Sequence, residues 1–94
     1  MHSIRVEELL KLNNVNIIDI RNSSRYLSGH IPNSINISEN ELINNPNKYL
    51  KNNIKYYIYC QSGIRSSYVV NILNNQGFDC VNIVGGYNNY VFRY

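Results

Sequence analysis

Cys60 is followed by Gln61, Ser62, Gly63, Ile64, Arg65 and Ser66, so a sulfur nucleophile, a permissive glycine and a cation fall within one short run. Ahead of it, Tyr56-Tyr57-Ile58-Tyr59 is apolar and aromatic and reads as a buried strand. Behind it, Ser66 to Gln76 carries Val69, Ile72 and Leu73 at helical spacing and stops at Gly77. A cysteine at a strand end, with a short loop opening a helix, makes an anion pocket. The loop amides and the positive end of the helix face whatever the sulfur attacks, and Arg65 adds a full charge beside them. The same groups favour thiolate, and cysteines so placed have pKa values of roughly 3.5–7.5 in place of about 8.5. The chemistry this predicts is nucleophilic attack by Cys60 on an anionic substrate. The plainer reading is a core cysteine ending a strand. A core residue, however, needs neither a permissive backbone at Gly63 nor a cation at Arg65 in the loop behind it.

Spacing narrows the reaction. Four residues separate Cys60 from Arg65, one fewer than in the protein tyrosine phosphatase pocket that this loop resembles. A tighter loop suits a single sulfur atom better than a tetrahedral phosphoryl group. Cys60 to Ser66 after an apolar strand resembles the active-site loop of the rhodanese, or sulfurtransferase, family. Two further segments agree in order and spacing. Ile17-Ile18-Asp19-Ile20-Arg21, then Tyr26, then Gly29-His30-Ile31-Pro32-Asn33-Ser34-Ile35-Asn36-Ile37 resembles that family's strand, helix and turn. Val81-Asn82-Ile83-Val84-Gly85-Gly86-Tyr87 with Tyr90 resembles its closing strand and turn. Departures are Asn33 where Gly is usual, Ser34 for Ala, Arg25 for Glu, Tyr90 for Trp, and Gln61 where many members carry Arg. Asn tolerates a left-handed turn, so the bend at Asn33 survives. Losing a cation at Gln61 weakens attraction for doubly charged thiosulfate and leaves room for persulfide donors.

The resemblance implies one rhodanese-like α/β domain over residues 1–94, with a small central parallel sheet and helices on both faces. It implies transfer of a sulfane sulfur from thiosulfate or a low-molecular-weight persulfide to a thiol or cyanide, through a persulfide on Cys60. Cys60 and Arg65 are then catalytic, and Gln61, Ser62, Gly63, Ile64 and Ser66 bind substrate. Asp19 and Arg21 support them. Three other readings stay open: a phosphatase or arsenate reductase, a persulfide carrier serving a protein donor or acceptor, and a non-catalytic interaction module.

The elements that must position this loop alternate along the chain, which implies a parallel sheet covered by helices. An opening strand near Ile4 precedes a short helix over Glu7 to Leu12, and Asn16 to Ile20 is the second strand. Asn22 can cap a helix over Ser23 to Ser28, with Gly29 ending it. Ile35 to Ile37 alternates as a short strand, and Ser38 with Glu41 forms a capping box for another helix. Pro46 fits the first turn of a helix ahead of Tyr49 and Leu50. Cys80 to Val84 is the last strand, with a helix after Gly86.

Open parallel sheets bind ligands beyond the carboxyl ends of their strands, where Cys60 and Asp19-Ile20-Arg21 both fall. Asp19 is read chiefly as an acceptor for loop amides, Arg21 as an ion-pair partner and His30 as a turn-stabilising hydrogen-bonding group. Cys80, opening a strand, is read as core in preference to a resolving thiol. Gly85-Gly86 lacks the ending of a phosphate loop and is read as allowing close approach to the Cys60 loop.

Ninety-four residues give one core, and modest charge with ample aliphatic and aromatic content excludes disorder. Arg5, Glu7 and Glu8 interrupt any signal-like apolar run, and no segment reaches membrane-span length. Two cysteines without framework spacing suggest a reducing compartment, with cytoplasm as the expectation. The net charge of +3 and the cluster Lys48, Lys51, Lys55 invite nucleic acid, but Tyr56 and Tyr57 belong to the predicted strand. Mild attraction for small anions is the better use of that charge. Neither a metal nor a cofactor is expected, since no His, Cys, Asp and Glu set has ligand spacing.

Overall fold

Alternation of side chains along the middle strand decides the architecture. In Lys55–Tyr59, Tyr56 and Ile58 pack to one face, and Cys60 just beyond the strand continues that row. Tyr57 and Tyr59 pack to the other face, as the two-residue period of an extended chain requires. Both faces therefore need a cover.

The computed structural model describes residues 2–93. Five strands, Ser3–Ile4 (β1), Asn16–Asp19 (β2), Ser34–Asn36 (β3), Lys55–Tyr59 (β4) and Asp79–Ile83 (β5), form one parallel sheet in the order β1-β5-β4-β2-β3. Register sets Ile18 opposite Ile58, Asp19 opposite Tyr59 and Tyr56 opposite Cys80. The chain leaves β4 toward β5 on one side and leaves β2 toward β3 on the other. The point where the winding reverses lies between the carboxyl ends of β2 and β4, the place where open sheets of this kind bind ligands.

Among the described residues there are also six helices: Val6–Leu9 (α1), Ser23–Ser28 (α2), Glu39–Asn44 (α3), Pro46–Tyr49 (α4), Ile64–Asn75 (α5) and Gly86–Arg93 (α6). On one face, Leu42 of α3 and Val69, Val70 and Leu73 of α5 pack on Ile18, Tyr56, Ile58 and Cys80. On the other, Val6 and Leu9 of α1 and Tyr87 and Tyr90 of α6 pack with Ile17, Tyr59 and Ile83. Fully burying one such aliphatic side chain contributes about 1.5–3 kcal/mol. Helix α2 buries no residue; Tyr26, half-buried, donates its hydroxyl to the Ser34 carbonyl at 2.6 Å and stacks on His30. None of the described helices is long and apolar enough to cross a membrane.

Several boundaries differ from the sequence expectation by one to three residues. The first helix begins at Val6, because Glu8 Oε1 accepts from the Arg5 N–H at 3.3 Å, and it tightens after Leu9 through a Leu12 N–H to Leu9 C=O bond of 3.0 Å. The long helix starts at Ile64, since the Gly63 carbonyl already accepts from Ser67 N–H at 3.2 Å. The third strand runs Ser34–Asn36, with Ile35 exposed at the sheet edge and Ile37 buried beyond it. The last strand is Asp79–Ile83, and Val84 is exposed. Asn22 accepts from Arg25 N–H at 3.0 Å to cap α2, and Ser38 caps α3. Asn33 has φ 71°, the left-handed turn expected of it.

Candidate active site

Cys60 directly follows β4 at the winding reversal, with its sulfur turned toward the start of α5. The Gly63 and Ser66 backbone N–H groups donate to Sγ at 3.1 and 3.3 Å. Burial pushes the thiol pKa up, but hydrogen bonds from the Ser66 side chain and from the backbone of Ser66, Gly63 and Ser62 outweigh it. The net shift is downward. The Ser66 hydroxyl has one proton and two acceptors in reach. It donates to Asn82 Oδ1 at 2.5 Å, and Asn82 Nδ2 in turn donates to the Gly63 carbonyl at 3.2 Å. That second bond fixes which end of the amide faces Ser66, so support of the sulfur by the hydroxyl requires its proton to rotate away from Asn82.

The loop keeps its shape because its neighbours lack side chains. A Cβ on Gly63, at φ 90°, would lie 2.7 Å from the Gly85 nitrogen. A Cβ on Gly86 would lie 2.3 Å from the Cys60 carbonyl oxygen. The first turn of α6 therefore sits directly on the loop, and Tyr87 and Asn88 N–H donate to the Cys60 and Gln61 carbonyls at 2.9 and 3.0 Å. This is the close approach that Gly85-Gly86 suggested.

Beside Cys60, Asp19 and Arg21 form a buried ion pair at 2.8 Å. Asp19 also accepts from the Arg21 backbone N–H at 2.8 Å. Burial alone lowers the Arg21 pKa; the Asp19 carboxylate reverses that and raises it, so the guanidinium stays charged. Arg21 lies 4.1 Å from the Tyr87 ring centroid and donates to Gln61 Oε1 at 3.1 Å and to the Gly29 carbonyl at 2.6 Å. It thus ties β2, the end of α2, the Cys60 loop and α6 together. Gln61 is held from both ends, since its Nε2 donates to Asn88 Oδ1 at 2.6 Å.

Cys60 opens onto a cavity of about 310 Å³ whose walls include Arg21, Arg25 and Arg65, one carboxylate, Glu39, and Gln61 and Ser62. Arg65 shares this cavity, but its guanidinium is bound in two places to the Glu39 carboxylate and stacks 5.1 Å from the Tyr68 ring. The bonds to Glu39 raise its pKa. Ser62 Oγ accepts from Ile64 N–H at 3.4 Å, whereas the Ile64 side chain is exposed. The structure therefore brings together Cys60, Gln61, Ser62, Gly63, Arg65, Ser66 and Arg21, and places Asp19 behind Arg21. It keeps the Ile64 side chain out.

The remaining candidates are structural. His30 Nδ1 lies 2.7 Å from the Tyr26 carbonyl and its ring stacks on Tyr26 at 3.8 Å. Cys80 is buried among the core residues of the α5 face, and burial, with Asp79 beside it, pushes its thiol up to about 12. Lys48 pairs with Glu41 at 3.7 Å, and Tyr56 is in the core. Among the described residues no His, Cys, Asp and Glu group could hold a metal ion. Sequence reasoning missed Glu39, Asn82 and the approach of Arg25. Each depends on how distant helices and strands dock, and no local pattern carries that information.

Such a site can stabilise a thiolate and then a negative charge one atom further out, between loop amides and guanidinium groups. The family model described as Rhodanese-like domain matches residues 5–92. The chain is 43% identical over 61 residues to the tRNA sulfurtransferase of Thermoplasma acidophilum, a match over 65% of this chain and 12% of that protein. It is 31% identical over 84 residues to the adenylyltransferase and sulfurtransferase uba4 of Ogataea parapolymorpha, covering 88% of this chain and 22% of that one. The chain thus spans a quarter or less of both relatives. A crystal structure of a rhodanese-like domain protein from Staphylococcus aureus superposes with a TM-score of 0.84 at 35% identity, covering 96% of this chain and 91% of that one.

Proposed function

The chain belongs to the rhodanese-like domain family, and from that premise we propose that it is a sulfurtransferase working through a persulfide on Cys60. The observation that carries the proposal is the pair of N–H donors, Gly63 and Ser66, aimed at a sulfur whose pKa is lowered and which opens onto a cationic cavity.

In the first step the Cys60 thiolate attacks the outer sulfur of the donor. With a persulfide R–S–SH, the new bond joins Sγ to that sulfur, the old S–S bond breaks, and its electron pair leaves on R–S⁻. With thiosulfate the pair leaves on sulfite. The outer sulfur of the Cys60 persulfide then occupies the space faced by backbone N–H groups from Gln61 through Ser66. Arg65, which turns from Glu39 toward the cavity, and the loop amides stabilise the departing charge. In the second step an acceptor thiol or cyanide takes the outer sulfur, and the electron pair of the broken S–S bond returns to Cys60 as thiolate. Gln61, Ser62 and the loop backbone bind the donor; Asp19 and Arg21 hold them in place. No cofactor enters either step.

Covalent catalysis of this kind gives ping-pong kinetics. Varying donor at several acceptor concentrations should give parallel double-reciprocal lines, and Cys60→Ala should abolish transfer. Intersecting lines, or turnover retained in Cys60→Ala, contradict the proposal. Hydrolysis of an aryl phosphate at a comparable rate would favour the phosphatase reading instead. A second reading, persulfide carriage to a protein acceptor, is supported by the relatives in which the matched segment is part of a longer sulfurtransferase. It predicts fast loading of Cys60 and slow discharge to small thiols.

A further inference from the structure

A second cavity, of about 340 Å³, lies next to the one at Cys60 and shares Arg21, Arg25 and Gln61 with it. Its outer walls are Ser24 and Ser28 of α2, Gly29, and Tyr87 of α6. Each cavity is near the lower bound of small-molecule sites, about 300–1,000 Å³. Together they make one elongated site, running from the Cys60 sulfur over Gln61 into the cleft between α2 and α6.

The groups in the second cavity define the ligand. No acidic side chain lines it, whereas two guanidinium groups do. Arg21 is neutralised by Asp19, but Arg25 has no carboxylate partner among the described residues. The other four arginines each have one: Arg5, Arg21, Arg65 and Arg93 pair with Glu8, Asp19, Glu39 and Glu7. Arg25 makes only a long contact, 3.4 Å, to Gln61 Oε1, a neutral acceptor already shared with Arg21. A ligand carboxylate would replace that contact with a charge-assisted, two-pronged one. The Tyr87 hydroxyl, beside Gly29, makes no hydrogen bond among the described residues and is free to donate. The Ser24 and Ser28 hydroxyls have already given their protons, to Asn22 Oδ1 and the Ser24 carbonyl, both at 2.9 Å. Their lone pairs can accept ligand N–H groups.

We propose that the cleft between α2 and α6 is a subsite for the carboxylate-bearing body of a peptide-like thiol, and that Arg25 determines specificity for persulfides of that class. This rests on the Cys60 reading and names its donor. The outer sulfur sits at Cys60, the inner sulfur departs as a thiolate near Gln61, and a carboxylate further along pairs with Arg25.

Two measurements separate the subsite from the chemistry. Binding of S-methylglutathione, which carries carboxylates and peptide N–H groups but no transferable sulfur, is measured by calorimetry at low salt. Arg25→Ala should weaken it about tenfold, Arg25→Glu more, and Arg25→Lys less. Tyr87→Phe is a second variant that keeps the ring against Arg21. The kcat/KM for glutathione persulfide, relative to that for the persulfide of 2-mercaptoethanol, should fall by the same factor in Arg25→Ala. Equal binding by the parent protein and Arg25→Ala, or an equal loss with both persulfides, overturns the subsite. The binding arm decides it even if Cys60 takes up no sulfur, whereas the protein's mass after exposure to donor decides the Cys60 reading by itself.

Discussion

Replacing Gly86 with alanine tests whether the seating of α6 on the Cys60 loop holds the site in shape. Gly86 has φ 58°, and an added Cβ would sit 2.3 Å from the Cys60 carbonyl oxygen and 3.0 Å from the Gln61 carbonyl carbon and oxygen. Ordinary contact begins at 3.4 Å, so the loop and helix must part by about 1 Å. These are backbone atoms and cannot swing aside. Parting them strains the Tyr87 N–H to Cys60 and Asn88 N–H to Gln61 bonds, now 2.9 and 3.0 Å. Each such bond is worth about 1 kcal/mol, and a left-handed alanine costs about 1–2 kcal/mol, giving a loss of about 3–4 kcal/mol. Domains of this size have roughly 5–15 kcal/mol to lose, so the variant should still fold. Gly77→Ala is the control: its φ is 95°, but nothing lies within 4 Å of the added carbon. It should cost only the backbone share, about 1–2 kcal/mol. Urea unfolding with linear extrapolation measures both. In the folded Gly86→Ala protein, sulfur uptake by Cys60 should also slow, by about 100-fold for a displacement near 1 Å. If Gly86→Ala costs no more than Gly77→Ala and leaves Cys60 as reactive, the argument that α6 shapes the loop is wrong.

Other perturbations separate the remaining contributions. Ser66→Ala removes a group that lowers the Cys60 pKa, so the pH midpoint for alkylation by iodoacetamide should move upward; an unchanged midpoint contradicts the role of that hydroxyl. Glu39→Gln frees Arg65 and takes a negative charge from the cavity wall. The kcat/KM for thiosulfate should rise about two- to fivefold at low salt and return toward the parent value at high salt. A rise that salt does not reduce would not be electrostatic. Asp19→Asn strands the buried Arg21 guanidinium and should cost about 3–5 kcal/mol in urea unfolding. A loss below about 1 kcal/mol would mean the pair behaves as a surface one.

Elements that carry their own local signals were legible in the sequence. The cap at Asn22, the two-residue alternation through Tyr59 and the left-handed turn at Asn33 each follow from a few neighbouring residues. The Cys60 loop was legible for the same reason, as strand, glycine and helix are consecutive. What the sequence did not disclose is side-chain partnership across distance. Arg65 pairs with Glu39, 26 residues away, only because α3 docks beside the start of α5. Asn82 reaches Ser66 because it shares a face of β5 with Cys80. Arg25 comes to Cys60 on a helix with no buried residue, so no apolar period records where that helix lies. Glycine pairs were a partial exception. Gly85-Gly86 signalled a close approach without showing that the Cys60 and Gln61 carbonyls were its target.

The central claim is that Cys60 carries the sulfur. Incubating the reduced protein with thiosulfate, and separately with glutathione persulfide, and then measuring intact mass tests this most directly. The account predicts a gain of one sulfur atom, absent in Cys60→Ser and removed by added thiol. No gain from either donor, or a gain that persists in Cys60→Ser, would contradict it.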